Sequence, residues 1–555
     1  MATDADRQVG DALARLSLEQ KVGQLFVTHV YGADAEHPSP EDAARNRQVF
    51  GCDTGADVVR RHHLGGVVYV AWAGNLGSPA QVAALSNGLQ RAAGDAAGVP
   101  LLVATVQENG AATRLAPAFT ELPGELALGA SGSGTQAEHA ATLSGGELRA
   151  VGVNQVYAPD LAVTAGHGLA AGVQSYGSDP ELVARMGVAQ VRGFHDAGLV
   201  ATAKHFPARG AAAAERTREE WERVDAVPIR AVVDAGADAV MSAHVPAPAL
   251  DADGVPATVS APILTGLLRD ELGFAGVVVT DSLALQAIRA RCADERAPVL
   301  ALLAGADQLL MPPNLELARR SVLDAVRAGE LTEDRIDRSV ERILRMKYGR
   351  VAAHVVVDEA GADAVVGSKR HRDGAQRITD RTITVVRDEE GSVPMNPAWQ
   401  AVLVVGSGTG AAESLSEALA EHCGWTCAVD AGALPGPDET RVAVARAKHH
   451  DAVVVVVGDA PGGAVGEAAR GRRKLVSALL ATRTPVLVVA TRDPSELAHH
   501  PDAPTCLATY SDGVTSMRSL ARVLVGEVEP RGTLPFTVPT GRGEDAAAGD
   551  RASVA

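Results

Sequence analysis

Seven short apolar runs punctuate the first half of the chain: LGGVVYVAW, PLLVATVQ, GVNQVYAP, LVATAKHF, ADAVMSAH, GVVVTDS and ADQLLMPP, each closing on a polar or turn residue. Near-continuous Val, Ile and Leu of this length mark parallel strands covered on both faces, since a strand with one wet face would alternate. Between the runs the period changes to that of a helix, as in SPAQVAALSNGLQRAAG and DPELVARMGVAQVRGFHDAG, each with glycine at its end. Repeated strand-helix units over about 300 residues predict an α/β fold opening with a TIM-type (β/α)8-like barrel. LTEDRIDRSVERILRMKYG then predicts a helix packed outside that barrel.

A second α/β rhythm follows a Gly/Ala/Asp-rich stretch near 354–368. AVLVVGSG, AVVVVVGDA and PVLVVATRD read as strand cores, and RRKLVSALLAT as a helix between them. The pattern divides the chain into a barrel over 1–350, a linker over 351–369, a C-terminal α/β sandwich domain over 370–540 and a disordered tail over 541–555. GSGTG at 406–410 sits between a strand and a helix, yet it has neither the GxGxxG spacing with an acidic partner nor a Walker pattern, so nucleotide binding is not the reading taken.

Composition narrows the function classes. A formal net charge of −17 without a basic block argues against nucleic acid or anionic membrane as partner, because both need concentrated positive surface. No stretch holds eighteen unbroken apolar residues, and the start lacks a basic region followed by an apolar one, so the expectation is a cytoplasmic protein. Five cysteines, few and odd in number, fit a reducing compartment. The histidines lack zinc-protease spacing, and no cofactor or metal is required.

In a TIM barrel the reactive groups stand at the C-terminal ends of the strands. Reading those positions alone brings Glu108, Arg114, Tyr157, Asp160, Lys204, His205, His244 and Asp281 to one rim. Each residue singly could cap a helix or pair with a neighbour. Acid, base and cation together point to a small-molecule site.

AKHFP at 203–207, SYGSDP at 175–180, VMSAH at 240–244, GFAGVVVTDSLAL at 273–285 and the closing GTLPFTVP resemble glycoside hydrolase family 3, and most of all its bacterial β-N-acetylglucosaminidase branch. The resemblance spans roughly residues 14–540 and implies retaining cleavage of β-glycosides. Retention needs one group to attack the anomeric carbon and another to protonate the leaving oxygen. By this resemblance Asp281 is the nucleophile, Lys204 and His205 grip sugar hydroxyls, and Arg114 is a basic residue beside the site.

The departures are as informative. In the N-acetylglucosaminidase branch the loop after KHFP continues as GHGDT and a DSH element, whose histidine is the acid/base and whose aspartate tunes it. Here the chain reads KHFPARG and then AAAAERTREEW, and Ala211 to Ala214 cannot transfer a proton. Val106 replaces a sugar-gripping aspartate, Gln174 an arginine, and Ala162 a second aspartate. Each lost charge-assisted hydrogen bond costs about 1.5–3 kcal/mol, and a missing general acid about 10²- to 10⁴-fold in rate.

The expectation is therefore a repurposed enzyme, with weak or no ordinary β-N-acetylglucosaminidase activity, acting on a sugar-like or glycosylated metabolite with Glu108, Gln174, Asp160 and His244 lining the site. Two alternatives stand beside it. One is a non-catalytic descendant that binds a ligand or serves in a complex; the other is a hydrolase whose donor is Glu215, Glu108 or Asp160, or comes from the second domain at Asp459 or Glu467.

Overall fold

The computed structural model describes residues 4–110, 117–164, 174–210, 212–458, 465–539 and 545–546. Each of the seven apolar runs becomes a strand: β2 (Gly66–Val68), β3 (Leu102–Thr105), β4 (Gln155–Val156), β5 (Val200–Phe206), β6 (Ala239–Ser242), β7 (Val277–Thr280) and β8 (Leu309–Leu310). An eighth, β1 (Phe26–Thr28), precedes them. It escaped the pattern because it follows the Leu18–Gln24 helix after a single residue, so its apolar residues merge with those of the helix.

The strands run in the order β7-β6-β5-β4-β3-β2-β1-β8, and every pairing is parallel. Val279 bridges to Gln308, and the Thr280 N–H donates to the Gln308 carbonyl at 2.9 Å, which closes the ring. The intervening helices carry the punctuation expected of them. Ser78 and Asp179 cap the Pro79–Ala97 and Pro180–Asp196 helices, each with proline in its first turn, and Gly98 ends the former at φ 64°. The outer helix forms at Glu333–Met346, capped by Thr332.

Segment 351–369 is tied to the barrel rather than swinging clear of it. Asn87 exchanges two hydrogen bonds of 2.9 Å with the Val357 backbone, and the Gly367 N–H donates to Glu147 at 2.9 Å. The second sheet comprises β9 (Thr384–Asp388), β10 (Ala401–Gly406), β11 (Trp425–Asp430), β12 (Ala452–Val457), β13 (Val486–Ala490) and β14 (Thr505–Ala508), in the order β11-β10-β12-β13-β14-β9. All pairs are parallel except β14 with β9, and apolar clusters cover both faces.

The GSGTG loop ends β10, and here the structure corrects one point of the sequence reading. An acidic partner does follow, Asp430 at the end of β11, and its Oδ1 accepts from the Gly408 and Gly432 N–H groups at 2.8 and 2.9 Å. The carboxylate thus occupies donors that a phosphate would need. The tail 541–555, apart from Asp545 and Ala546, lies outside the described residues.

The two sheets meet beside the barrel mouth. Leu126, Ala127 and Ala130 pack against Ala508, Tyr510, Leu534, Phe536 and Val538. The Ser178 N–H donates to the Pro535 carbonyl at 2.9 Å, so the GTLPF segment holds the SYGSDP turn from outside. Two glycines make this fit possible: a Cβ on Gly129 would stand 1.8 Å from the Tyr176 carbonyl oxygen, and one on Gly177, at φ 146°, 2.2 Å from that of Pro535. Gly129→Ala should destabilise the chain by about 1–3 kcal/mol or more, the usual cost of overpacking against unyielding backbone. Denaturant unfolding beside Gly132→Ala, a position with open space but the strain of positive φ, checks this.

Candidate functional site

Asp160 and Lys204 are neighbours in a parallel bridge beyond the end of β4. The Lys204 N–H donates to the Pro159 carbonyl at 3.0 Å and the Leu161 N–H to the Lys204 carbonyl at 2.6 Å. This pairing turns the end of β5 towards the loops after β3 and β4. The side chains there form one continuous chain of contacts.

The Lys204 ammonium pairs with the Glu108 carboxylate, which also accepts from the Gln174 amide. Gln174 Oε1 accepts from Arg209 Nη2 at 2.6 Å, and Arg209 Nη1 donates to Asp160 Oδ2 at 2.8 Å. His205 Nδ1 lies 3.4 Å from Asp160 Oδ2, and His205 Nε2 lies 3.9 Å from Asp281 Oδ2. Six of the expected site residues are thereby brought together: Glu108, Asp160, Gln174, Lys204, His205 and Asp281. Arg114 lies outside the described residues.

Burial sets the electrostatics. The Asp160 side chain is wholly buried; burial alone would raise its pKa, but the His205 contact and the charges of His205, Arg209 and Lys204 hold it below the ordinary aspartate value. Behind it, Glu125 opens the Glu125–Ser131 helix, and its Oε1 accepts the Asp160 N–H at 2.9 Å. Burial, and then the charges of Glu108 and Asp160, push the Glu125 pKa well above the usual range, so this carboxyl keeps its proton. The buried Tyr176 hydroxyl beside it is raised for the same reasons.

Asp281 differs from these groups. Its side chain is 27% exposed and accepts from the following Ser282 N–H at 2.7 Å. Lys204 is committed to Glu108 rather than to Asp281. His244, expected to line the site, has both ring nitrogens engaged: Nε2 donates to the Ser282 carbonyl at 3.0 Å, and Nδ1 meets the Thr258 hydroxyl at 2.8 Å. Burial lowers its pKa. It therefore acts as a neutral strut for the turn that carries Asp281.

The loop after β5 is anchored at Pro207. Trp221 is buried, donates from its indole to the Pro207 carbonyl at 3.0 Å and packs edge-on to Phe206. Thr217 and Glu220 form a reciprocal cap for the Arg218–Arg223 helix. Glu215 is exposed to solvent. Glu467 is exposed too and lines a surface cavity with Leu434, Thr440 and Lys474, while Asp459 lies outside the described residues.

Sequence reading missed Arg209 and Glu125. Arg209 was legible only as the cation in KHFPARG, and Glu125 only as a carboxylate opening the apolar stretch ELALGA. The other side of the mouth is aromatic. His29 after β1 meets Tyr31, Phe50 and Trp72 at centroid distances of 5.0, 5.3 and 4.7 Å. Trp72 is 56% exposed, and burial holds His29 neutral with its pKa lowered to about 4.

A barrel with carboxylates and cations at its strand ends, seated against a mixed sheet, can now be set beside known proteins. Residues 17–346 match the glycosyl hydrolase family 3 N terminal domain, and residues 283–552 match the family's C-terminal domain. The chain belongs to glycosyl hydrolase family 3. A β-N-acetylglucosaminidase/β-glucosidase of Cellulomonas fimi is 30% identical over 446 residues, 74% of each chain. A β-hexosaminidase A of Pseudoalteromonas piscicida is 26% identical over 94% of this chain and 97% of its own. The structure of a family 3 β-N-acetylglucosaminidase from Paenibacillus sp. str. FPU-7 superposes with TM-score 0.78 at 34% identity, covering 95% of this chain and 99% of that one.

The raised Glu125 pKa has a consequence for stability. Between the unfolded carboxyl's value near 4.5 and the raised folded value, the native state holds a proton that the unfolded chain has released, so stability falls as pH rises through that window. Glu125→Gln keeps the acceptor for Asp160 without the ionisable group. Its melting temperature relative to wild type should climb steadily from about pH 5 to about pH 8, as followed by calorimetry.

Proposed function

We propose that this family 3 chain is a repurposed glycosidase: Asp281 remains the nucleophile, the general acid of the β-N-acetylglucosaminidases is missing, and the substrates are β-glycosides whose leaving group departs without protonation. The observation that carries the reading is the contrast between Asp281 and its neighbours. Glu108 and Asp160 are buried and neutralised by Lys204 and Arg209, whereas Asp281 is part-exposed and, among the described residues, has no basic side chain in an ion pair closer than the His205 imidazole at 3.9 Å. An accessible, unneutralised carboxylate suits attack on an anomeric carbon.

The missing acid is supported by the composition of the loop after Pro207, where the described residues offer Arg209 towards the sugar side and an exposed Glu215. With a pKa above about 12, guanidinium is too weak an acid to serve as general acid to a glycosidic oxygen near neutrality. The aromatic wall of Tyr31, His29 and Trp72, on the β1 and β2 sector, favours a flat apolar aglycone, and phenol-like groups leave without help. Sugar-gripping residues on β3 to β5 and an aromatic sector on β1 and β2 would leave the scissile bond between them, beside Asp281 on β7.

A second reading, a ligand-binding protein without turnover, is favoured by the same ion pairs, since Lys204 and Arg209 already have carboxylate partners. Kinetics separate the two. An aryl N-acetyl-β-glucosaminide with an activated leaving group should be hydrolysed, a natural N-acetylglucosaminide about 10²- to 10⁴-fold more slowly or not at all, and Asp281→Ala should abolish both. Equal turnover of the two substrates would reveal an acid, and no turnover of either would favour the binding protein.

A missing base leaves its own signature. Hydrolysis of the glycosyl-enzyme needs a base to activate water, so azide, which attacks without losing a proton, should accelerate turnover of the aryl substrate and yield glycosyl azide. Trp72→Ala should raise KM for the aryl glycoside several-fold with little change in kcat, provided the aglycone stacks there equally in ground and transition states.

A further inference from the structure

A second concave surface lies away from the barrel mouth, where the Gly134–Ala150 helix of the barrel meets the Lys369–Thr379 helix at the start of the second domain. The two touch at Gly374, where a Cβ would approach Leu143 Cδ1 to 2.8 Å. A cavity of about 430 Å³ opens beside that contact. Its floor is apolar, with Leu143, Ile378 and the Gly374 backbone, while Arg370, Arg377, Arg381 and His139 stand around it.

The three arginines, at spacings of seven and four residues, line the same hollow, and among the described residues none of their guanidiniums makes a hydrogen bond or a close ion pair, although the Arg377 charge also acts on Asp373. The carboxylates on the same helix are engaged elsewhere. Asp373 pairs with Lys369 at 2.6 Å, and Asp380 at the helix end is held by Arg522 and Ser519. Glu147 on the barrel helix accepts from His371 at 2.8 Å and from Thr120. Three guanidiniums around one hollow, none held in a close carboxylate pair among the described residues and only Arg377 sharing the charge of Asp373, make a local site for anions in a chain of net charge −17.

We infer that this groove binds an organic polyphosphate of the nucleotide type, with the phosphates on Arg370, Arg377 and Arg381 and the flat apolar body on Leu143 and Ile378. Guanidinium forks suit phosphate oxygens, and the volume lies within the range of small-molecule sites. The site is independent of the glycoside chemistry and spans both domains. Glu147, next along the barrel helix, holds Thr120 at the end of the loop that begins at Gln107, so an occupant would brace the same helix pair that supports the barrel mouth.

Isothermal titration of the full chain at about 0.15 M salt tests it with three probes: ATP, inorganic tripolyphosphate and adenosine. ATP should bind, tripolyphosphate roughly tenfold more weakly, and adenosine not measurably. An Arg377→Gln/Arg381→Gln double variant, at exposed positions and with unchanged melting, should lose at least tenfold in ATP affinity while keeping its activity on aryl glycosides. Failure of ATP to bind at millimolar concentration, or equal affinity in the double variant, overturns the site. Tripolyphosphate matching ATP overturns the role of the apolar floor, and capture of a polyglutamate peptide with no response to ATP reassigns the groove to an acidic protein partner.

Discussion

Asp160 has no solvent exposure, and a wholly buried carboxylate must be met by positive charge and hydrogen bonds or lose its ionisation. Much of the barrel mouth is arranged around that demand. Arg209 comes from the loop after β5, His205 from the end of β5, and the Ala162 N–H from the turn beyond Asp160 itself. The Trp221 anchor and the Thr217 cap hold the loop where Arg209 can reach. Once Lys204 has met Glu108 and Arg209 has met Asp160, a third buried carboxyl finds no cation of its own, and Glu125 stays protonated.

The same accounting explains the exposure of Asp281 to chemistry. Its strand end lies on the far side of His205 from the buried pairs, and its turn is propped by His244 through the Ser282 carbonyl. The prop is neutral because burial disfavours imidazolium, so it fixes the turn without neutralising the carboxylate. Asp281 is thus left part-exposed, while Lys204, Glu108, Gln174, Arg209 and Asp160 are engaged with one another. Gln174 illustrates the exchange: the amide stands where the family resemblance implies an arginine, and Arg209 brings a guanidinium to it from the loop after β5.

The second domain contributes by contact. Its closing GTLPF segment meets the SYGSDP turn at Gly177 and the Glu125–Ser131 helix at Ala130, so the wall behind the site is shared between domains. On the side where the Lys369–Thr379 helix docks, Glu147 accepts from Gly367, His371 and Thr120 together, which makes one buried carboxylate the latch between barrel and sheet.

Sequence alone determined the barrel, the second sheet and the strand ends that matter, because apolar runs buried on both faces and helical periods leave a local signature of length and spacing. β1 was lost because it follows the Leu18–Gln24 helix almost directly, and β9, β11 and β14 because their edge positions or short runs lack that signature. Asp160, Lys204, His205 and Asp281 were legible because strand-end positions are ordered along the chain. What only the tertiary structure decided is which charge answers which: that Lys204 meets Glu108, that Arg209 crosses to Asp160 and Gln174, and that Glu125 keeps its proton. Such pairings depend on distance and burial between residues as far apart as Glu108 and Lys204, and neither quantity is written in local pattern.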